Sequence, residues 1–386
     1  MKILIFPNDP LIAYLKKGEL KARYFNPNNI FDEVHFITFT NNECDIEDVQ
    51  ITIGKAKGYI YRLPPLSILD MFNPKRRLSD VLEAVGNIKV NIVRSYNPVF
   101  QGFFAGIVAK RLKVPLLISL HSNFDFDVRY LYRINKDIRY FKYLLSKYTV
   151  EPKALKMATH ILGAYKWAGK YATDNGYDKS KISIIYNRVY LDKFKPSLNK
   201  KNSKNIRIIS VANLLKIKGQ RVLVDAMASI KKNISLTIVG DGEDYELLVT
   251  KVKNLKLEKR VAFIKSIPNE DLAELYREHD IFALPIQYGG VGIPILEATA
   301  SGLPLVMPKP KYNNMPEVEI VGEYAEMVEN TPEGFANGIN KVANSYELRE
   351  KMSIKGLDII ANYSGEIMER KESELYHKLV DAYEIS

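Results

Sequence analysis

The sequence predicts an α/β protein of two domains, each a doubly wound parallel sheet. Three observations predict it. The chain has 386 residues, too many for one ordinary core. Its short apolar runs are nearly continuous rather than alternating, the pattern of parallel strands covered on both faces. The runs alternate with amphipathic stretches, stop at a lysine-rich segment, and start again after it.

The elements follow in order. KILIF at 2–6 is too short for a signal peptide and reads as a first buried strand ending at Pro7. Further strands are expected at 34–39, 90–94, 115–120, 159–162 and 182–186, with a helix over 98–112. From Lys193 to Asn205 the chain has five lysines and no acid, and reads as a linker. Strands are expected again at 206–211, 235–240, 260–264, 280–284 and 303–307, with helices over 218–231, 243–254, 269–279 and 292–300. Asn269 is placed to cap its helix, with Glu270 and Asp271 in the first turn, where the dipole favours them. The expected domains are 1–195, joined by a C-terminal helix over 366–386, and 196–365.

Composition limits the function classes. The 56 Lys and Arg against 45 Asp and Glu give a net charge of +11. This suits an anionic partner (nucleotide, phospholipid surface or nucleic acid) and equally suits a solvated lysine-rich surface. Cys44 is the only cysteine, so no intrachain disulfide forms, which fits a reducing compartment. No run approaches the roughly 18 apolar residues of a membrane span. A cytoplasmic protein is expected. One cysteine and five scattered histidines give no zinc spacing, and no metal is expected. Neither G-x-S-x-G nor a Walker lysine motif occurs, and VGDGEDYELL lacks the third glycine of a dinucleotide fingerprint.

Ligands of open α/β sheets bind beyond the carboxyl ends of strands, so residues just after strands carry the chemistry. In YGGVGIPILEATASGLPLV, 288–306, the loop Gly289, Gly290, Val291, Gly292 precedes a helix whose exposed amides suit phosphate. Glu297, within that helix, could accept two ribose hydroxyls. The alternative is a tight turn with a solvated glutamate. In SVANLLKIKGQ, 210–220, Lys218 stands at a strand–helix junction, where an ammonium neutralises a leaving diphosphate. In SLHSNFD, 119–125, His121 ends a strand beside Ser122 and Asn123 and should face the ligand. The segment 129–148, RYLYRINKDIRYFKYLLSKY, holds six Lys or Arg, six aromatics and one acid. It suits an anionic bilayer interface, delivering a lipid-linked acceptor. Alternatively Tyr140, Tyr143, Leu144 and Tyr148 form the buried face of an ordinary helix.

These stretches together resemble the retaining, nucleotide-sugar-dependent glycosyltransferases of family 4, which have the GT-B fold. SVANLLKIKGQRVLVDAM, LTIVGDGEDYELL, VAFIKSIPNEDLAELYREHDIFALP, GGVGIPILEATASGLPLV and MPEVEIVGE carry the resemblance over about 206–325. VRSYNPVFQGFFAGIVAKRLKVPLLISLHSNFD and YNRVYLDKFKP carry it more loosely in the first half, and the tail resembles the family's closing helix, which crosses back onto the first domain. The resemblance implies two Rossmann-like domains facing a cleft. It assigns ribose to Glu297, diphosphate to Lys218, and the donor sugar to His121. It also exposes two departures. Gly289 stands where the family has a second glutamate that touches the donor sugar. Asn213 stands where an arginine usually joins the lysine, so Arg188 or Lys265 become substitute cations. The implied activity is sugar transfer from a nucleoside diphosphate to a hydroxyl of a glycan, glycolipid or small molecule, without a metal. A second reading is a glycosyltransferase-like nucleotide-binding subunit of weak or no activity, favoured by the two departures. A sugar transferase acting on nucleic acid is favoured by the charge alone.

Overall fold

The structure is a computed structural model. It describes the chain except residues 17–19, 68, 74, 87, 135, 198–203, 288–289, 311–318 and 386. Two compact units result: Met1–Tyr186 with Met368–Ser386, and Asn187–Ile367. Residues 187–195 fall in the second unit for a packing reason. Phe194 is buried there with its ring 6.0 Å from that of Tyr276, and Val189 pairs with Ser364. The middle of the lysine-rich segment lies outside the described residues.

The first unit contains β1 (Lys2–Phe6), β2 (Glu33–Phe39), β3 (Lys57–Leu63), β4 (Ile92–Ser95), β5 (Leu116–Leu120), β6 (His160–Gly163) and β7 (Ile182–Ile184). They form one parallel sheet in the order β3-β2-β1-β4-β5-β6-β7. Alternate residues of β1 serve opposite faces. Leu4 and Phe6 join a core under the Phe100–Leu112 helix, and Ile3 and Ile5 join a core under the C-terminal helix. Two covered faces are why KILIF reads as a continuous apolar run. The C-terminal helix, Gly365–Glu384, sends Leu375, Tyr376, Leu379 and Val380 into the second of these cores.

The second unit contains β8 (Ile206–Val211), β9 (Ile234–Val239), β10 (Val261–Ile264), β11 (Ile281–Ala283), β12 (Leu305–Pro308) and β13 (Glu326–Val328). Their order, again parallel, is β10-β9-β8-β11-β12-β13. In both sheets the order reverses at one seam, between β1 and β4 and between β8 and β11. Such a seam is where an open α/β sheet leaves a crevice.

Two expected features differ, and two strands are additional. The helix after Lys218 spans Gln220–Ala226, because Gly219 is left-handed at φ 77° and stops it from starting at 218. Asn269 is the first helical residue, and Pro268, in extended conformation, occupies the cap position. β3 and β13 were not among the expected strands. Both are edge strands, and β3 is only partly buried, so the apolar run that marks an inner strand is missing.

Candidate active site

In the second unit two loops meet at the β8–β11 seam. The first follows β8 and ends in a single 3-10 turn, Lys216–Lys218. The second follows β11 and leads to Gly290. A backbone bond ties them: Gln287 N–H donates to Ile217 C=O at 3.0 Å. At Gly219 a Cβ would lie 2.1 Å from the Pro285 carbonyl oxygen, so only glycine allows this approach. The half-buried Lys218 is thus fixed beside the loop that opens the Ile293–Ala300 helix. Further bonds hold the β8 loop from its other side: Leu214 N–H to Asp241 C=O and Asp244 N–H to Leu214 C=O.

Gly290 and Val291 are buried, and Gly292 occupies the cap position of the helix in extended conformation. Pro294 lacks an N–H, so the amides before it are the ones to offer. Gly289 lies outside the described residues. Glu297 is 5% exposed, and the Tyr276 hydroxyl shares its one proton between the Pro294 carbonyl at 3.3 Å and the Glu297 Oε2 at 3.5 Å. Burial first, and the Glu297 charge second, push the Tyr276 hydroxyl far above the usual tyrosine range, so it stays a donor. Tyr276 belongs to the Asn269–Glu278 helix, and nothing in its spacing links it to Glu297. Gln220 was missed too. It is buried beside Gly219, and neither end of its amide has a hydrogen-bond partner.

Asn213 is exposed. Of the two substitute cations, Arg188 is buried, while Lys265 is exposed with its ammonium 4.0 Å from the Tyr245 ring centroid.

In the first unit, His121 follows β5 at the carboxyl end. It lines a cavity of about 210 Å³ with Asn8, Tyr14, Tyr24, Tyr96, Ser122 and Phe124. Asn8 follows β1 and Tyr96 follows β4, so the cavity stands over the seam of this sheet. The His121 ring stacks on Tyr96 at 5.6 Å and 9°. Burial, with a smaller push from the Arg94 cation, lowers the imidazole to about 4. His121 is therefore neutral near pH 7, with one nitrogen donating and one accepting. Its Nε2 is buried without a partner, while its carbonyl accepts from the Tyr165 hydroxyl at 2.9 Å. Asn123 serves the backbone instead: its Oδ1 accepts from Phe126 N–H and its Nδ2 donates to Trp167 C=O.

The basic segment is split by packing. Arg129 is buried and ion-paired with Glu151 and Asp125, and Lys147 also pairs with Asp125. The Arg139–Thr149 helix shows Phe141 (68% exposed) and Tyr148 (74%) to solvent, next to Ile138 (82%). Tyr148 therefore does not belong to a buried face. Among the described residues no helix is long and apolar enough to cross a membrane.

Comparison with known proteins gives two family matches that together run through most of the chain. Residues 32–193 match Glycosyltransferase Family 4, and residues 192–358 match Glycosyl transferases group 1. An uncharacterized glycosyltransferase of Haemophilus influenzae is 29% identical over 261 residues, 65% of this chain and 67% of that protein. Another, from Methanocaldococcus jannaschii, is 23% identical over 99% of both chains. Among solved structures, Anabaena HepE in complex with UDP superposes with TM-score 0.73 at 16% identity, over 98% of this chain and 100% of that one. The same protein has been solved with UDP-glucose.

Proposed function

As a member of the family 4, group 1 glycosyltransferases, with two Rossmann-like units of the GT-B class, this chain is a glycosyltransferase, and we propose that it transfers a sugar with retention from a nucleoside diphosphate to an acceptor hydroxyl. One observation carries the reading. The Lys218 loop is tied at Ile217 and Gly219 to Gln287 and Pro285, in the loop after β11 that leads to Gly290–Gly292 and the helix of Glu297, over the β8–β11 seam.

In this reading Glu297 accepts the ribose hydroxyls, with Tyr276 steadying its carboxylate. The diphosphate meets the amides of the Gly289–Gly292 loop and the Lys218 ammonium, which stabilises the charge that grows on the leaving group. These groups neutralise the diphosphate without a metal. His121, uncharged, orients the transferred sugar. The acceptor, a glycan, glycolipid or small molecule, binds the first unit. Lys218→Ala should then lower turnover far more than it lowers nucleoside monophosphate affinity, because the ammonium acts on the leaving diphosphate. Equal losses in both would sink that role.

The broader test is a thermal-shift panel of nucleoside diphosphates and their sugar conjugates, since a ligand bound only by the folded state raises its stability. UDP and UDP-glucose head the panel, as the ligands of the Anabaena protein. No shift with any of them would overturn the reading. The second reading is a nucleotide-binding subunit with little activity. The exposed Asn213, in place of an arginine, favours it. Nucleotide binding without release of free nucleoside diphosphate from any donor would select it.

We also propose that the protein works in the cytoplasm, at the inner face of a membrane. Ile138, Phe141 and Tyr148 project to solvent beside the exposed Lys136, Arg139 and Lys142. Cations near an anionic surface contribute about 1 kcal/mol each. Sedimentation with anionic and neutral vesicles at low salt tests this, and equal recovery in the supernatant with both would remove it.

A further inference from the structure

The cavity around His121 is held from the far end of the chain. Arg94 on β4 and Ser119 on β5 stand two residues before Tyr96 and His121, which follow the carboxyl ends of those strands. Arg94 is 4% exposed. It donates to the Ser119 hydroxyl at 2.9 Å, to the Glu372 carboxylate, and to the Tyr376 hydroxyl at 2.5 Å. Its guanidinium lies 4.2 Å from the Tyr96 ring centroid, and that ring stacks on His121. The same helix makes a second attachment. Glu369 accepts from Arg23, the neighbour of the cavity residue Tyr24, and Ser373 accepts from Asn28.

A buried guanidinium is costly unless a carboxylate meets it. Glu372 meets that need, and in doing so fixes where Arg94 can lie. Arg94 in turn supports the Tyr96 ring from beneath. We infer that Glu372 and Tyr376 of the C-terminal helix are positioning residues for sugar transfer, acting through Arg94 and Tyr96 on His121. This rests on the reading that the His121 cavity serves the reaction. The helix supplies none of the residues that line the cavity. It sets the wall against which His121 rests.

The groups facing His121 are Arg94 from β4, Glu372 and Tyr376 from the C-terminal helix, Tyr96 and Tyr24 around the cavity, and Tyr165, whose hydroxyl also contacts Asp127. The Arg94 charge disfavours the imidazolium, and the Glu372 charge favours it. Removing the carboxylate while keeping its shape therefore has a signed effect on His121.

The test is Glu372→Gln in the full chain. Three quantities are measured: the His121 ring resonances by NMR as pH falls from 7, turnover of UDP-glucose, and UDP affinity by calorimetry. A misplacement of about 1 Å at a reacting centre can cost a hundredfold in rate, and a loss of about tenfold or more is expected here. UDP affinity should stay within about twofold of wild type, since the nucleotide contacts proposed above lie in the other unit. The His121 resonances should shift at pH 7, and protonation should begin at lower pH. Unchanged His121 resonances in the folded variant would overturn the inference, whatever happens to turnover. Loss of turnover and UDP affinity in equal measure would also overturn it, as general damage. If the variant does not fold, Tyr376→Phe keeps the ion pair and takes the turnover and resonance measurements instead. Failure of the wild type to bind UDP or turn over UDP-glucose would count against the donor reading alone, and the His121 resonances would still decide the relay.

Discussion

Glu297 is buried yet charged in role, and that combination makes it a sharp probe. A hydrogen bond to a charged group is worth about 1.5–3 kcal/mol, so Glu297→Ala should weaken nucleotide binding about 10- to 100-fold. Calorimetry on each nucleotide that binds the wild type checks this. Gly219 offers a second. Gly219→Ala meets both a left-handed backbone and the Pro285 carbonyl, whereas Gly176→Ala, at φ 81°, meets nothing within 4 Å. The Gly176 change should cost about 1–2 kcal/mol from backbone conformation, and the Gly219 change clearly more, by urea midpoints. Equal costs would mean that the two loops are not in close contact. At this scale the sequence was legible in where a residue stands relative to a strand end. Lys218, Glu297 and His121 all stand in stretches that follow one. Tyr276 and Gln220 were not legible, because a partner from another helix and an unpaired buried amide leave no local pattern.

The Arg139–Thr149 helix shows why a pattern can be read two ways. Its interleaved aromatics and cations suit a buried face or a bilayer equally well, and only packing decides. Arg129 and Lys147 turn inward to Asp125, while Phe141 turns outward. Phe141→Ser should therefore leave stability within about 0.5 kcal/mol, as exposed sites do, while reducing sedimentation with anionic vesicles. A large loss of stability, read from a urea melt, would mean that Phe141 is packed in solution. Among the strands, the inner ones were legible from their doubly buried runs. β3 was not, since an edge strand needs no such run.

Across the whole molecule, four histidines report on acid stability. His35, His121, His160 and His279 are all lowered chiefly by burial, His121 and His160 to about 4. The unfolded chain takes up these protons near pH 6.5, and the folded chain resists until the pH is lower. The unfolded state therefore binds more protons in this window, and stability falls with falling pH. It should be kept above about pH 6.5 and lost progressively toward about pH 4. Urea midpoints at pH 7.5, 6 and 5 should decline, most clearly between the last two. A flat profile would mean that these rings are hydrated. The two-array organisation was legible from the repeated alternation of strand and helix. The entry of residues 187–195 into the second unit was not, because the pairing of Val189 with Ser364 and of Phe194 with Tyr276 joins residues far apart in the chain.

The first unit is built from both ends of the chain, and this sets an order of assembly during synthesis. Residues 1–186 emerge from the ribosome first, yet part of the cover on one face of their sheet, Leu375, Tyr376, Leu379 and Val380, comes from residues 368–386. At roughly 5–20 residues per second, that face waits on the order of ten seconds or more. The second unit, continuous from Asn187 to Ile367, meets no such delay. The nascent first unit thus lacks the Tyr376 ring against Phe31, and Arg94 its counterion Glu372, until the last helix is released. Chains ending at residue 367 and tethered to the ribosome by a linker long enough to clear the exit tunnel should accordingly be more protease-sensitive in the first half than in the second, the reverse of the usual N-to-C order.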